Sequence, residues 1–159
     1  MLFIFELLLY LVLFTASVIF VVKDGPTGGI FFYPKPVQEK VFALGLADRK
    51  TSMRRAVVYL TLVLIGVAAL PVLFIGVWNG VNDFKTAFFQ ALILLEVMNW
   101  FDGICIDFVW VRHSKFWIIP GTEELPYAKT VAQIAVKRTL ASLLYLPVAA
   151  LIGWLAVLL

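Results

Sequence analysis

Four long apolar segments alternate with polar connections along the chain, and this alternation predicts an all-α polytopic membrane protein. Each segment reaches the ~20 residues that a helix needs to cross roughly 30 Å of hydrocarbon. We expect one transmembrane domain over residues 1–159, with inner connections at 23–55 and 112–138 and a tight outer turn at 79–85. The predicted spans are approximately residues 2–22, 56–78, 86–111 and 139–159.

The first inner connection contains the pattern of a short amphipathic helix. Val37, Val41 and Leu44 recur on one helical face, Pro36 falls in the first turn and Gly45 lies near the end. Such a helix on the inner surface anchors a protein at the membrane interface. An alternative role is a lid over a lipid-facing pocket.

The second inner connection becomes apolar again over residues 116–119, a run that is too short to span a bilayer. The following Pro120-Gly121 predicts that the chain dips into the interface and turns back. Thr130 and Gln133 have the spacing of a capping box, so we expect the last helix to begin there. Lys137 and Arg138 would then snorkel towards the interface.

Composition and charge agree with this topology. Hydrophobic residues make up 63% of the chain and charged residues 14%, which excludes an ordinary soluble domain. Of the 13 Lys and Arg residues, all but Lys85 fall on one side of the predicted spans. Positive charge resists translocation, so we expect a multi-pass protein of the cell membrane with both termini outside. Because topology accounts for the basic residues, the expected partner is an anionic inner leaflet and not nucleic acid.

The third span carries ionisable groups, and each ionised carboxylate there costs several kcal/mol unless it is paired or hydrated. Glu96, Asn99 and Asp107 share a helical face with Gly103, which predicts a polar stripe facing the bundle interior. Asp102 falls at the edge of this face or beyond it. On an unbroken α-helix Asp102 and Asp107 project about 140° apart, so we expect that they cannot meet at one ion.

Acidic and imidazole side chains form the candidate chemical site. Asp107, His113 and Glu123 or Glu124 converge if the Pro120-Gly121 turn folds the loop back over the helix end. Such a set can bind a divalent metal or perform acid–base catalysis, with Asp107, His113 and Glu123 as the catalytic candidates. The alternative is a structural polar network that ties the loop to the bundle, so enzymatic activity stays open.

A basic rim offers a different kind of site. Arg112 and Lys115, with Arg54 and Arg55 at the neighbouring helix entry, have the charge and depth to hold a lipid phosphate. Cys105 is the only cysteine, which excludes an internal disulfide, and we expect it to be a small buried packing residue. The candidate ligand-binding residues are Glu96, Asn99, Asp102, Arg112, Lys115, Trp117 and Glu124.

Distinctive motifs extend over most of the chain. They are Asn99-Trp100-Phe101-Asp102 through Trp110, His113, Trp117 and Ile119-Pro120-Gly121-Thr122-Glu123, together with Phe32-Tyr33-Pro34-Lys35, Gln38-Glu39 and Leu44-Gly45-Leu46. The chain thereby resembles a group of small, poorly characterised prokaryotic integral membrane proteins. The resemblance implies four spans and points to the third helix and its loop, but it transfers no activity.

Three functional hypotheses remain open. The leading one is a polar site at the cytoplasmic interface that binds, or also modifies, a lipid or other amphipathic ligand. The second is a proton- or ion-coupled transporter or channel that uses Glu96, Asn99 and Asp107 as a relay and requires a homo-oligomer. The third is an accessory subunit of a membrane complex, in which buried polar groups specify helix pairing.

Overall fold

The computed structural model describes residues 2–159, and over this range the chain is all-α without a strand. Two α-helices continue directly into a π-helix: Arg49–Val72 is followed by Leu73–Trp78, and Phe84–Phe101 is followed by Asp102–Val111. Short 3-10 segments occupy Pro26–Phe32 and Lys115–Trp117. The α-helices are α1 (Leu2–Val21), α2 (Lys35–Ala43), α3 (Arg49–Val72), α4 (Phe84–Phe101) and α5 (Val131–Val157).

Three helical segments in residues 2–159 are long and apolar enough to cross a membrane: Leu2–Val21, Arg49–Trp78 and Val131–Val157. Large apolar side chains cover their outward faces, including Leu8, Leu64 and Leu144. Helix α4 is not among the three, and it carries Lys85, Gln90, Glu96 and Asn99. The chain therefore has the features of a helical membrane protein.

Side-chain caps fix where the longer helices begin. Asp48 accepts a hydrogen bond from the Thr51 amide at 2.7 Å, and Asp83 accepts one from the Thr86 amide at 2.9 Å. These bonds hold the pKa of each aspartate below its usual range. The predicted capping box of Thr130 and Gln133 is confirmed at the start of α5, and the predicted turn before α4 lies at residues 79–83.

Small residues bring α5 close to its neighbours. A Cβ on Gly153 would lie 2.9 Å from the Phe88 backbone nitrogen, and one on Gly76 would lie 2.6 Å from the Ala156 carbonyl oxygen. Such close approach gains van der Waals contact, which matters because lipid supplies no hydrophobic driving force between helices. The surrounding core contains Tyr10, Phe74, Ile75, Ala87, Ala91, Leu94, Leu95, Met98, Ala149 and Ile152.

A second core lies at one end of the helices, which we call the loop end because residues 22–48 and 112–130 form it. The predicted amphipathic helix is confirmed as α2, but its Val37 and Val41 are completely buried in a cluster with Trp117 and Ile119. The Tyr33 hydroxyl donates to the Trp117 carbonyl at 2.9 Å and joins the two connections. The apolar face of α2 therefore packs on protein, and only Leu44 of the predicted face is exposed.

Candidate functional site

The π-helix places Asp102 and Asp107 on the same side, which corrects the prediction that they project apart. That prediction assumed α-helical geometry, whereas the chain from Asp102 to Val111 is a π-helix. A π-helix bonds residue i to residue i+5, so side chains five positions apart lie near each other. Both carboxylates consequently reach one cation on α5.

That cation is Arg138, and its burial corrects the prediction that it snorkels towards the interface. One terminal nitrogen of its guanidinium lies 2.5 Å from an Asp102 carboxylate oxygen and 2.6 Å from an Asp107 oxygen. The Arg138 side chain is only 6% exposed. Lys129 approaches the same Asp107 oxygen at 3.6 Å and is more exposed. Two carboxylates are thus compensated inside the bundle, as ionised groups in an apolar layer require.

Gly103 makes room for the arginine. A Cβ at this position would lie 2.9 Å from Arg138 Cγ and 3.0 Å from Nε. The Arg138 side chain, which extends from α5, therefore crosses the π-helix directly over Gly103. The same side chain has a buried Nε without a hydrogen-bond partner among residues 2–159.

A polar network continues along α4 and α5 away from the loop end. Asn99 Nδ2 donates to the Arg138 carbonyl at 3.0 Å and to Ser142 Oγ at 3.3 Å. Ser142 in turn donates to Glu96 at 2.7 Å. The predicted stripe of Glu96, Asn99, Gly103 and Asp107 therefore faces α5.

This network links α4 to α5 through uncharged groups of Asn99 and Ser142. Asn99 also contacts only the backbone carbonyl of Arg138, so its bonds do not extend into the guanidinium. The arrangement supplies charge compensation and helix registration.

A cavity of about 220 Å³ opens beside the two aspartates. One wall is apolar and aromatic, with Phe14 and Val18 from α1 and Tyr59 and Val63 from α3. The rest of the lining, which we call the charged wall, consists mainly of polar and aromatic side chains and contains Asp102, Asp107, Trp117, Tyr127, Lys129 and Lys137. We call this the loop-end site. Its two walls suit a ligand with an apolar part and a charged part.

The loop-end site is lined by two formal negative charges, from Asp102 and Asp107, and by two formal positive charges, from Lys129 and Lys137. Arg138 does not line the cavity but pairs with both aspartates, so the two lysines are the cations that a ligand can reach. Among the described residues, Lys137 forms no ion pair within 4.0 Å. Trp117 is 2% exposed, and its indole N–H has no partner in the described part of the chain.

The predicted metal or catalytic set does not assemble. His113 Nδ1 lies 2.8 Å from the Phe108 carbonyl oxygen, to which it must donate, and the imidazole is exposed. Glu123 accepts from the Gly121 amide at 2.9 Å, which lowers the pKa of its carboxyl, and Glu124 is exposed. Within residues 2–159 no three His, Cys, Asp or Glu side chains are placed to hold a metal ion. The Pro120-Gly121 turn forms, but it does not carry Glu123 onto Asp107.

The predicted basic rim is divided. Arg54 and Arg55 line a separate cavity of about 480 Å³ with Lys23, whereas Arg112 and Lys115 line neither this cavity nor the loop-end site. Arg112 instead lies over the Phe108 ring at 5.8 Å. The cations that enter the loop-end site are Lys129 and Lys137.

Sequence reasoning missed a second polar site at the opposite end of the bundle. Glu6 is completely buried, and it accepts a hydrogen bond from Asn79 Nδ2 at 2.9 Å. The same amide approaches Gln90 Oε1 at 3.3 Å, while Glu6 Oε1 has no partner within residues 2–159. We call Glu6, Asn79 and Gln90 the turn-end site. The available signal was one acidic residue inside the first apolar segment.

Two other residues were placed differently by sequence. Cys105 was expected to be buried, but it is exposed because it lies on the outward side of the π-helix beside Ile104. Ser142 was not selected, although it links Asn99 to Glu96. The sequence feature that could have identified Ser142 is a single hydroxyl in an apolar helix.

No protein-family model, no curated protein and no solved structure matches this chain.

Proposed function

We propose that the chain binds an anionic amphiphile, a molecule with a phosphate or carboxylate head and an apolar chain, in the loop-end site. The observation that carries this proposal is the cavity between an aromatic wall and a charged wall. Lys137 lines this cavity and has no ion-pair partner within 4.0 Å among the described residues, which favours an anionic ligand. Lys129 and Lys137 would contact the head, while Phe14 and Val18 would contact the first carbons of the apolar part.

The proposed setting is a four-span protein of the cell membrane with both termini outside. Helix α4 contains 18 residues, which rise about 27 Å, and the π-helix extends it further. Its buried polar residue Asn99 faces α5 and not lipid, so the polar stripe does not prevent insertion. Positive residues then place the loop end at the inner leaflet, where anionic head groups are available. The motif resemblance to small prokaryotic membrane proteins belongs to the same proposal.

The carboxylates have a structural part in this function. Asp102 and Asp107 hold Arg138 within the bundle, and Asp107 also draws Lys129 to the cavity. They thereby fix the position of the polar wall before a ligand arrives. Pre-organised groups bind more tightly because less ordering accompanies association.

Native mass spectrometry of gently solubilised protein tests the proposal. Wild-type protein should retain an anionic lipid through purification, and it should rebind a phosphate-headed amphiphile after delipidation. A double variant with Lys129→Gln and Lys137→Gln should bind that amphiphile at least about tenfold more weakly, since each interfacial cation contributes roughly 1 kcal/mol.

Lys115→Gln is the matched control, because Lys115 is an exposed cation at the same end that does not line the cavity. Its binding should equal that of the wild type. Equal binding by the double variant would contradict the proposal. Co-purification of a stable protein partner in place of lipid would instead favour the accessory-subunit hypothesis.

A further inference from the structure

A second groove lies between α1 and α3 and meets the loop-end site. It has a volume of about 290 Å³ and is bordered by Tyr10 and Leu13 from α1 and by Leu62 and Gly66 from α3. Phe14, Tyr59 and Val63 line both this groove and the loop-end cavity. The two spaces are therefore adjacent and share these three side chains.

The groove offers almost no polar contacts. Ser17 is among its lining residues, but its hydroxyl donates to the Phe14 carbonyl at 2.6 Å. Tyr10 similarly directs its hydroxyl to the Val67 carbonyl at 3.3 Å. The third hydroxyl in the lining, that of Tyr59, lies 3.5 Å from Ser17 Oγ. Since all three hydroxyls have partners within the protein, the groove suits hydrocarbon.

We propose that the α1–α3 groove holds the acyl chain of the anionic amphiphile whose head occupies the loop-end site. This inference rests on the proposed function, and it adds that the protein distinguishes ligands by chain length. The head is held by Lys129 and Lys137, and the groove begins at Phe14, Tyr59 and Val63, which also line the cavity that holds the head. Bulk lipid can cover any outward helix face, whereas this groove is joined to a site of matching charge.

Gly66 provides a direct way to shorten the groove. A Cβ at Gly66 would meet no atom within 4 Å apart from its neighbours in the helix, so a larger side chain has space to enter. Gly66→Leu should fill part of the groove without touching Lys129 or Lys137. Gly66→Ala is the matched control, since it changes helix propensity in the same direction but adds only one carbon.

The experiment measures binding of phosphate-headed amphiphiles with saturated chains of increasing length to purified, delipidated protein. Wild-type affinity should rise with chain length and then level off. Gly66→Leu should weaken binding of the longer chains about tenfold and leave the shortest chains unchanged, while Gly66→Ala follows the wild type. Unfolding temperatures measured without ligand check that both variants are folded.

The possible failures are distinguishable. The groove assignment fails, and the proposed function stands, if Gly66→Leu has the wild-type length dependence while binding still requires Lys129 and Lys137. If neither phosphate-headed nor carboxylate-headed amphiphiles bind, both proposals fail. Capture of a protein segment in the groove would also overturn the acyl-chain assignment.

A photoactivatable group at the end of the acyl chain gives an independent test. It should label residues around Gly66 and Leu70, which line the groove, and excess unlabelled amphiphile should suppress this labelling. Labelling of Leu143 and Leu144, on the exposed face of α5, should not be suppressed. Equal and uncompeted labelling of both regions would show contact with bulk lipid only and would overturn the assignment.

Discussion

The loop-end and turn-end sites both place carboxylates inside apolar helices, yet they compensate them in different ways. At the loop end, Asp102 and Asp107 share the guanidinium of Arg138 and border a cavity. At the turn end, Glu6 has one hydrogen-bond partner within residues 2–159, the side-chain amide of Asn79, and it lines none of the described cavities. An acidic residue in a span therefore does not by itself indicate a functional site. Its charged partners and the accessible space beside it are also needed.

Removal of Arg138 should have the largest effect on stability. Arg138→Met leaves two carboxylates without their shared cation, which should cost about 3–5 kcal/mol in the free energy of unfolding. A triple variant that adds Asp102→Asn and Asp107→Asn should recover most of this loss, because it removes the uncompensated charges. Reversible unfolding in detergent measures both changes.

If the triple variant does not recover the free energy of unfolding, charge compensation by Arg138 does not explain the stability of the loop-end site. In that case Arg138 would act through packing over Gly103, and the two carboxylates would carry little of the stability. Loss of ion compensation would then not distinguish the loop end from the turn end.

Replacement of one carboxylate by its amide should destabilise the loop-end site more than the turn-end site. Asp107→Asn removes a charged partner of Arg138 and Lys129, so it should cost about 1.5–3 kcal/mol, the usual range for a hydrogen bond to a charged group. Glu6→Gln keeps an oxygen that can accept from Asn79, and it should change stability by less than about 0.5 kcal/mol.

Unfolding curves collected under one set of detergent conditions provide the comparison. A large loss with Glu6→Gln would mean that the turn-end site depends on a carboxylate charge. A negligible loss with Asp107→Asn would mean that Asp102 alone suffices to hold Arg138.

A further effect, smaller than that of Arg138→Met, concerns the glycine beneath Arg138. Gly103→Ala places a carbon 2.9 Å from Arg138 Cγ, and overpacking of this kind costs about 1–3 kcal/mol. Gly66→Ala, which meets open space, should be neutral or stabilising by up to about 1 kcal/mol. Thermal unfolding of the two variants should therefore shift in opposite directions or by clearly different amounts. Equal shifts would contradict the packing of Arg138 over Gly103.

Local patterns in the sequence predicted the parts of the structure that depend on nearby residues. The Thr130–Gln133 capping box, the turn before α4 and the short helix after Pro34 all form as expected. The inward stripe was also predicted, because helical periodicity alone places Glu96 and Asn99 on one face.

The arrangement around Arg138 depended on information that periodicity does not contain. An α-helix separates Asp102 from Asp107, and only the change to a π-helix brings them to one cation. Arg138 was interpreted from its position near a predicted helix end, which suggested snorkelling. Its actual partners lie 31 and 36 positions earlier in the chain, on another helix. Long-range pairing of this kind is decided by packing.

A structure determined in nanodiscs that contain anionic lipid is the most direct test of whether the loop-end site binds an anionic amphiphile. Density is expected for a phosphate or carboxylate head within hydrogen-bond distance of Lys129 and Lys137, continuous with a chain along Gly66. A loop-end cavity closed by protein side chains, or filled by water while anionic lipid is present in excess, would contradict it.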